Sequence, residues 1–127
     1  MTATTELLEV RRRNDRGTVL IEPIGELDIA TVSLLADAFD SLADDAQSTQ
    51  RIVLDLRGLT FMDATGINEL LHRNSEAQQN RHSLAVMRGG ASIDRLITLT
   101  AIDQRLAFVD GPDDLRPPLP PALARPA

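Results

Sequence analysis

Two short segments bring acid directly ahead of helical patterns: Gly25-Glu26-Leu27-Asp28 and Phe61-Met62-Asp63-Ala64-Thr65-Gly66. The chemistry open to them is narrow. Asp28 and Asp63 can in principle hold a magnesium ion beside a phosphate, or act as an acid–base pair. Neither is accompanied by a nucleophile with an adjacent base, nor by a glycine-rich phosphate loop. The chain has no cysteine, which removes disulfides, thiolate nucleophiles and cysteine-ligated metals. It has no lysine either, since all 13 basic residues are arginine, so a P-loop lysine and a Schiff-base lysine are excluded. His72 and His82 are the only imidazoles, and their separation is not a metal-ligand spacing. No catalytic residue, metal site or cofactor is expected.

What these residues can do is start a helix. An aspartate at the N-cap accepts hydrogen bonds from unpaired backbone N–H groups, which stabilises a helix by about 1 kcal/mol. The second segment holds more than a cap requires. Gly66 costs roughly 1 kcal/mol against alanine in a helix interior, less at an end, and allows close backbone approach. The Thr65 hydroxyl stands in the positive field of the helix start, where a phosphate is favoured. Asp63 works against such a phosphate and against an acidic partner. The combination makes Thr65 a possible phosphoacceptor in a modification switch; the plainer alternative is that Thr65 helps to cap the helix.

The elements that must position these segments follow from the patterning. A chain of 127 residues is about one domain's worth. At 43% hydrophobic and 25% charged it falls among ordinary soluble globular proteins. No apolar stretch approaches the roughly 20 residues of a membrane-spanning helix, and the first residues lack the apolar core of a signal peptide. A cytoplasmic location is expected. A net charge of -6 argues against a nucleic-acid surface. Arg11, Arg12 and Arg13, beside Asp15, are expected to be a solvated strand end.

A patterned domain over 1–115 precedes a tail, 116–127, that holds five of the seven prolines and can neither pair as strand nor continue as helix. Within the domain, residues 6–12 alternate as an edge strand. Residues 18–25 form a second strand, with Pro23 marking a bulge or an edge position. Leu35, Ala38, Phe39, Leu42 and Ala46 recur at three and four, an amphipathic helix over about 30–46. Residues 51–56 are a buried strand. Ile67, Leu70, Leu71 and Ala77 define a second helix capped by Asp63. Residues 83–87 are a strand, Ile93 to Ala101 a third helix, and 106–109 a last short strand. Alternating helices and buried strands predict parallel pairing through right-handed crossovers. The expected fold is α/β: a small mixed sheet of about four to five strands flanked by about four helices.

Gly25-Glu26-Leu27-Asp28, a helix, then the run from Ile52 to Ile67 (IVLDLRGLTFMDATGI) together resemble the STAS-domain family, and in particular its anti-sigma-factor antagonists. The resemblance implies partner switching: such a protein binds an anti-sigma factor, typically a serine/threonine kinase-like protein, and so releases a sigma factor. In the family the phosphorylated serine or threonine directly follows the aspartate, and here that position is Ala64. Three readings follow. Thr65 accepts the phosphate instead, turned by about 100° on the helix; or the domain is permanently competent to bind; or control has passed to the partner. We take permanent competence as the expectation. Asp28, Asp63, Thr65 and Gly66 match the motif positions, and with Ala64 they are expected to border the contact surface. Asn68 and Glu69 are expected to face solvent beside it, as rim contacts. Asp55, inside a buried strand, needs a loop N–H or an arginine as partner. STAS domains also serve as regulatory pieces of membrane transporters, so a separate transporter subunit is the competing reading.

Overall fold

A computed structural model describes residues 2–4, 7–15, 17–45 and 51–109. Among them, apolar and β-branched runs form seven strands of one sheet: β1 (Thr2–Thr4), β2 (Leu8–Asp15), β3 (Thr18–Leu27), β4 (Arg51–Asp55), β5 (Leu59–Met62), β6 (Ser83–Met87) and β7 (Ala107–Val109). The order is β1-β2-β3-β4-β6-β7. The first three strands pair antiparallel and the rest parallel. One side of β3 is shared: Thr18–Ile21 pair with β4, and Gly25–Leu27 pair with β5.

Three α-helices connect the parallel strands: α1 (Val32–Asp45), α2 (Ala64–Gln79) and α3 (Ala91–Leu99), with a short 3-10 turn at Ile102–Gln104 before β7. Each carries a buried stripe at helical spacing: Leu35, Phe39 and Leu42 on α1; Ile67, Leu70 and Ala77 on α2; Ile93 and Ile97 on α3. From β3 through β4 and β6 to β7 the chain moves one way across the sheet. Right-handed crossovers then bring every helix to the same face. The core agrees. All three stripes join Val19, Ile21, Ile52, Leu54, Leu84 and Val86 in one cluster, while the alternate residues Leu20, Val53, Ala85, Met87 and Val109 form a smaller cluster on the opposite face.

The mixed α/β fold is as expected, but its details differ. There are seven strands, not four to five, and three α-helices with a 3-10 turn, not four, among the described residues. The helices that flank the sheet share one face of it. β2 is not an edge, because β1 pairs with its outer side over Thr4↔Glu9 to Thr2↔Arg11. Pro23 is not at an edge either: it lies in β3 between the stretches that face β4 and β5, where no ladder bond to either is required of it. The bulge falls two residues on, between Gly25 and Glu26. Gly25 has a φ of 119°, and a Cβ there would collide with the Leu7 carbonyl oxygen, so only glycine fits this bend. The tail assigned to 116–127 lies outside the described residues, as does the expected helix end at Ala46. Among the described residues no helix is long and apolar enough to cross a membrane.

Candidate functional site

Each of the two acid-bearing segments begins as a strand end, and the two pair with one another. Leu27 is in parallel register with Met62, and the Asp63 N–H donates to the Leu27 carbonyl at 3.3 Å. Asp28 and Asp63 each follow one residue later. The starts of α1 and α2 are thereby brought to the same end of the sheet. Leu59-Thr60-Phe61-Met62 escapes a sequence reading because its inner two residues are exposed and its partner strand lies far away in the chain.

Asp63 caps α2 as expected. Its Oδ1 accepts from the Thr65 N–H at 2.9 Å and the Gly66 N–H at 3.3 Å, satisfying two of the helix's unpaired donors. Asp28 does not cap α1. Its Oδ1 accepts from the Ala30 N–H at 2.9 Å, an Asx turn that closes 28–31 ahead of the helix. The residue before α1 is Thr31, buried, whose hydroxyl accepts from the Asp28 N–H at 3.0 Å and donates to the Glu26 carbonyl at 2.8 Å. Thr31 carries no signal in the sequence beyond its place before an apolar stripe.

The rest of the expected contact set divides. Ala64 and Asn68 are exposed, one turn apart on the same face of α2. Thr65 is half-buried. Gly66 lies beneath the surface: a Cβ there would stand 2.5 Å from Met62 Cγ and 3.1 Å from Leu27 Cδ2. Its close backbone approach is therefore to the chain's own core. Glu69 does not face solvent as a rim contact. Its side chain is 12% exposed and accepts from Arg73 Nε at 2.5 Å.

Arg73 carries no signal in the sequence, because an arginine at helical spacing looks like a solvated face. It is 5% exposed and sits in the buried stripe of α2. Its Nη1 donates to Asp40 of α1 at 2.8 Å and to Glu76 at 2.9 Å, and its guanidinium lies 5.4 Å from the Phe39 ring centroid. Desolvation pulls its pKa down, but hydrogen bonds to Glu69 and Asp40 outweigh that and hold the group charged, above the usual arginine range.

Apolar exposure concentrates at the same end of the sheet. Of the four large apolar side chains exposed among the described residues, Ile29 (80%), Phe61 (47%) and Leu7 (46%) are here, and only Leu99 lies elsewhere. Phe61 is in register with Glu26, and Leu7 lies one step beyond the Leu8↔Gly25 pair, beside Glu26. Leu7, Glu26 and Phe61 are thereby neighbours on three adjacent stretches of chain, and Ile29 stands in the turn just beyond them, next to Asp28.

Elsewhere several charged groups are paired with neighbours. Asp55 is buried and accepts from the Arg57 N–H at 2.9 Å and from Arg57 Nη2 at 3.0 Å, so each of the two alternative partners expected for it is present. The arginine run is dispersed: Arg11 pairs with Glu9, Arg13 with Glu22, and Arg12 reaches Ser41 of α1. No group of three or more His, Cys, Asp or Glu side chains among the described residues is gathered as a metal site.

Comparison with known proteins agrees with this architecture. The chain is 26% identical over 103 residues to an anti-sigma F factor antagonist of Paenibacillus polymyxa, covering 81% of this chain and 87% of that one. The crystal structure of an anti-sigma factor antagonist from Mycobacterium paratuberculosis superposes with a TM-score of 0.74 at 21% identity, over 84% of this chain and 89% of that one. The anti-sigma factor antagonist SpoIIAA in its unphosphorylated form gives 0.68 at 19%, over 82% and 89%. The family model of the STAS domain matches residues 9–114, so the chain belongs to the STAS-domain family.

Proposed function

We propose that the chain is an anti-sigma-factor antagonist: it binds a kinase-like anti-sigma factor in the cytoplasm, without catalysing a reaction, and so frees a sigma factor. The role comes from the relatives named above, which are anti-sigma factor antagonists. The observation that carries it onto this chain's own residues is the exposure of Leu7, Ile29 and Phe61 at the end of the sheet where α2 starts. Apolar groups left exposed together and rimmed by polar ones mark protein-binding surfaces.

Permanent competence is the form of the function that these residues favour. Ala64 is exposed on the first turn of α2, where the family carries its acceptor hydroxyl, and its methyl group cannot be phosphorylated. Thr65 is half-buried and its N–H is held by Asp63. A phosphate on Thr65 would leave the helix in a different direction from one at position 64. The surface around Ala64 thus keeps its charge unless something other than that phosphate changes it.

The test is capture of the tagged chain from its own cells with identification of what it holds. The expected product is a kinase-like anti-sigma factor, retained equally with and without ATP. Ala64→Glu should abolish capture, since it adds a charge to the centre of the surface. Retention by Ala64→Glu would remove that surface from the account. Recovery of a permease or transporter subunit would replace the sigma pathway by the transporter reading.

A further inference from the structure

Arg73 is the one charged residue among the buried positions of α2, which are otherwise Gly66, Ile67, Leu70 and Ala77. Burying a guanidinium is costly unless its donors are matched, and an apolar side chain of similar size fills such a space without that cost. Apolar packing, however, is not directional. A planar guanidinium with fixed donors is, and it resists sliding between the groups it joins. The groups joined here come from both helices. Glu69 and Glu76 bond to it from its own helix, where Glu69 holds Nε and Glu76 only shares Nη1 with Asp40; Asp40 and the Phe39 ring belong to α1 and are what it grips.

The place of this grip matters because both helices begin at the same end of the sheet. Asp40 lies eight residues into α1 and Arg73 nine residues into α2, about 12 and 14 Å from the respective helix starts. Each start carries one half of the candidate surface: the turn over 28–31 leads into α1, and Asp63 to Thr65 open α2. An axial shift of one helix against the other moves one half past the other.

We propose that Arg73 is a positioning residue, whose ion pair with Asp40 and stacking on Phe39 fix the axial offset of α2 against α1 and thereby the spacing between the Asp28–Thr31 turn and the Asp63–Thr65 helix start. The proposal rests on reading those two segments as the anti-sigma-factor surface.

Two alanine variants separate positioning from mere stabilisation. Asp40→Ala removes the partner on α1. Glu76→Ala removes a partner on α2 that bonds to the same Nη1. Both side chains are substantially exposed, at 63% and 41%, and alanine favours helix at either site, so both variants fold. Backbone amide shifts of the free protein and calorimetric titration with the captured anti-sigma factor are measured for each. Asp40→Ala should move the amide resonances of Ala30–Val32 and Thr65–Ile67 and weaken association about tenfold. Glu76→Ala should leave those amides and the affinity near wild type. Equal effects of the two variants overturn the proposal, as do shifts confined to the turn around residues 40 and 73. If the wild-type chain binds no anti-sigma factor, the functional reading falls, and the amide shifts alone decide whether the clamp sets the spacing.

Discussion

The turn ahead of α1 and the start of α2 begin alike and end differently. Each leaves a strand end, Leu27 or Met62, and each puts an aspartate at the next position. At the start of α2 the cap and the packing are committed: Asp63 Oδ1 is spent on two backbone N–H groups, and the space above Gly66 is filled by Met62. In the turn ahead of α1, the work of closure is divided among Asp28, the Thr31 hydroxyl and the Asp28 carbonyl, which accepts from the Val32 N–H at 2.8 Å. That division leaves Ile29 standing in solvent at the tip. One segment is built to be stiff, the other to present a side chain. Substitutions at the capping and packed positions of the first should cost mainly stability, and those at the tip of the second mainly association.

The largest effect on stability is expected from Gly66→Ala. Alanine gains helix propensity, worth at most about 1 kcal/mol and less in a first turn. Against this stands overpacking, since the new methyl meets Met62 Cγ at 2.5 Å and Sδ at 3.0 Å in a buried position. Inserted methyl groups in filled cores cost typically 1–3 kcal/mol, so a net loss of about 1–2 kcal/mol is expected in a denaturant melt. A variant as stable as wild type would show that Met62 swings aside freely, and the start of α2 would lose its claim to stiffness.

Next comes the pair of aspartates. Asp63→Ala strands two N–H groups at a helix start and should cost about 1 kcal/mol. Asp28→Ala loses the bond from Ala30 and a longer one, at 3.3 Å, from the Thr31 hydroxyl. That hydroxyl keeps the Glu26 carbonyl at 2.8 Å and the Asp28 carbonyl keeps the Val32 N–H, so about half that loss is expected. Equal losses in parallel melts would mean that the carboxylate of Asp28 carries the whole turn. Loss of stability at Asp63 with intact capture of a partner would make Asp63 a cap and nothing more.

These differences also mark where the sequence is legible. The helices are, because Leu35, Phe39 and Leu42, or Ile93 and Ile97, repeat locally at three and four. The buried strands β4 and β6 are, because RIVLD and SLAVM are short apolar runs. Local signals suffice for these. β5 is hidden because its pairing with Gly25–Leu27 makes it a strand, and nothing within LTFM announces that partner. Arg73 is hidden for a related reason: its burial depends on Asp40, 33 residues earlier, and on a ring beside it. At the site, the motif positions Asp63 and Ala64 lie as the spacing predicts. Gly66 and Glu69 turn inward because of Met62 and Arg73, and Ile29 comes forward because a closed turn lifts it out.

The smallest effect on stability is expected at that tip, and it decides the most about function. Ile29→Asp changes a side chain that is 80% exposed and takes no part in closing the turn. Surface changes away from caps and cores usually stay within about 0.5 kcal/mol, so the melt should overlay that of wild type. Association should nevertheless fall steeply, because an exposed apolar anchor is lost and a carboxylate is added next to Asp28 in the same turn. Raising the salt should recover part of the loss, the share due to charge, and Ile29→Ala should recover that share at any salt while leaving the rest. If Ile29→Asp instead captures its partner as well as wild type, the exposed turn is not the contact. The candidate contact would then reduce to Phe61 and Leu7, on strands β5 and β2's leading edge, and the contrast between a stiff helix start and a presenting turn would carry no function.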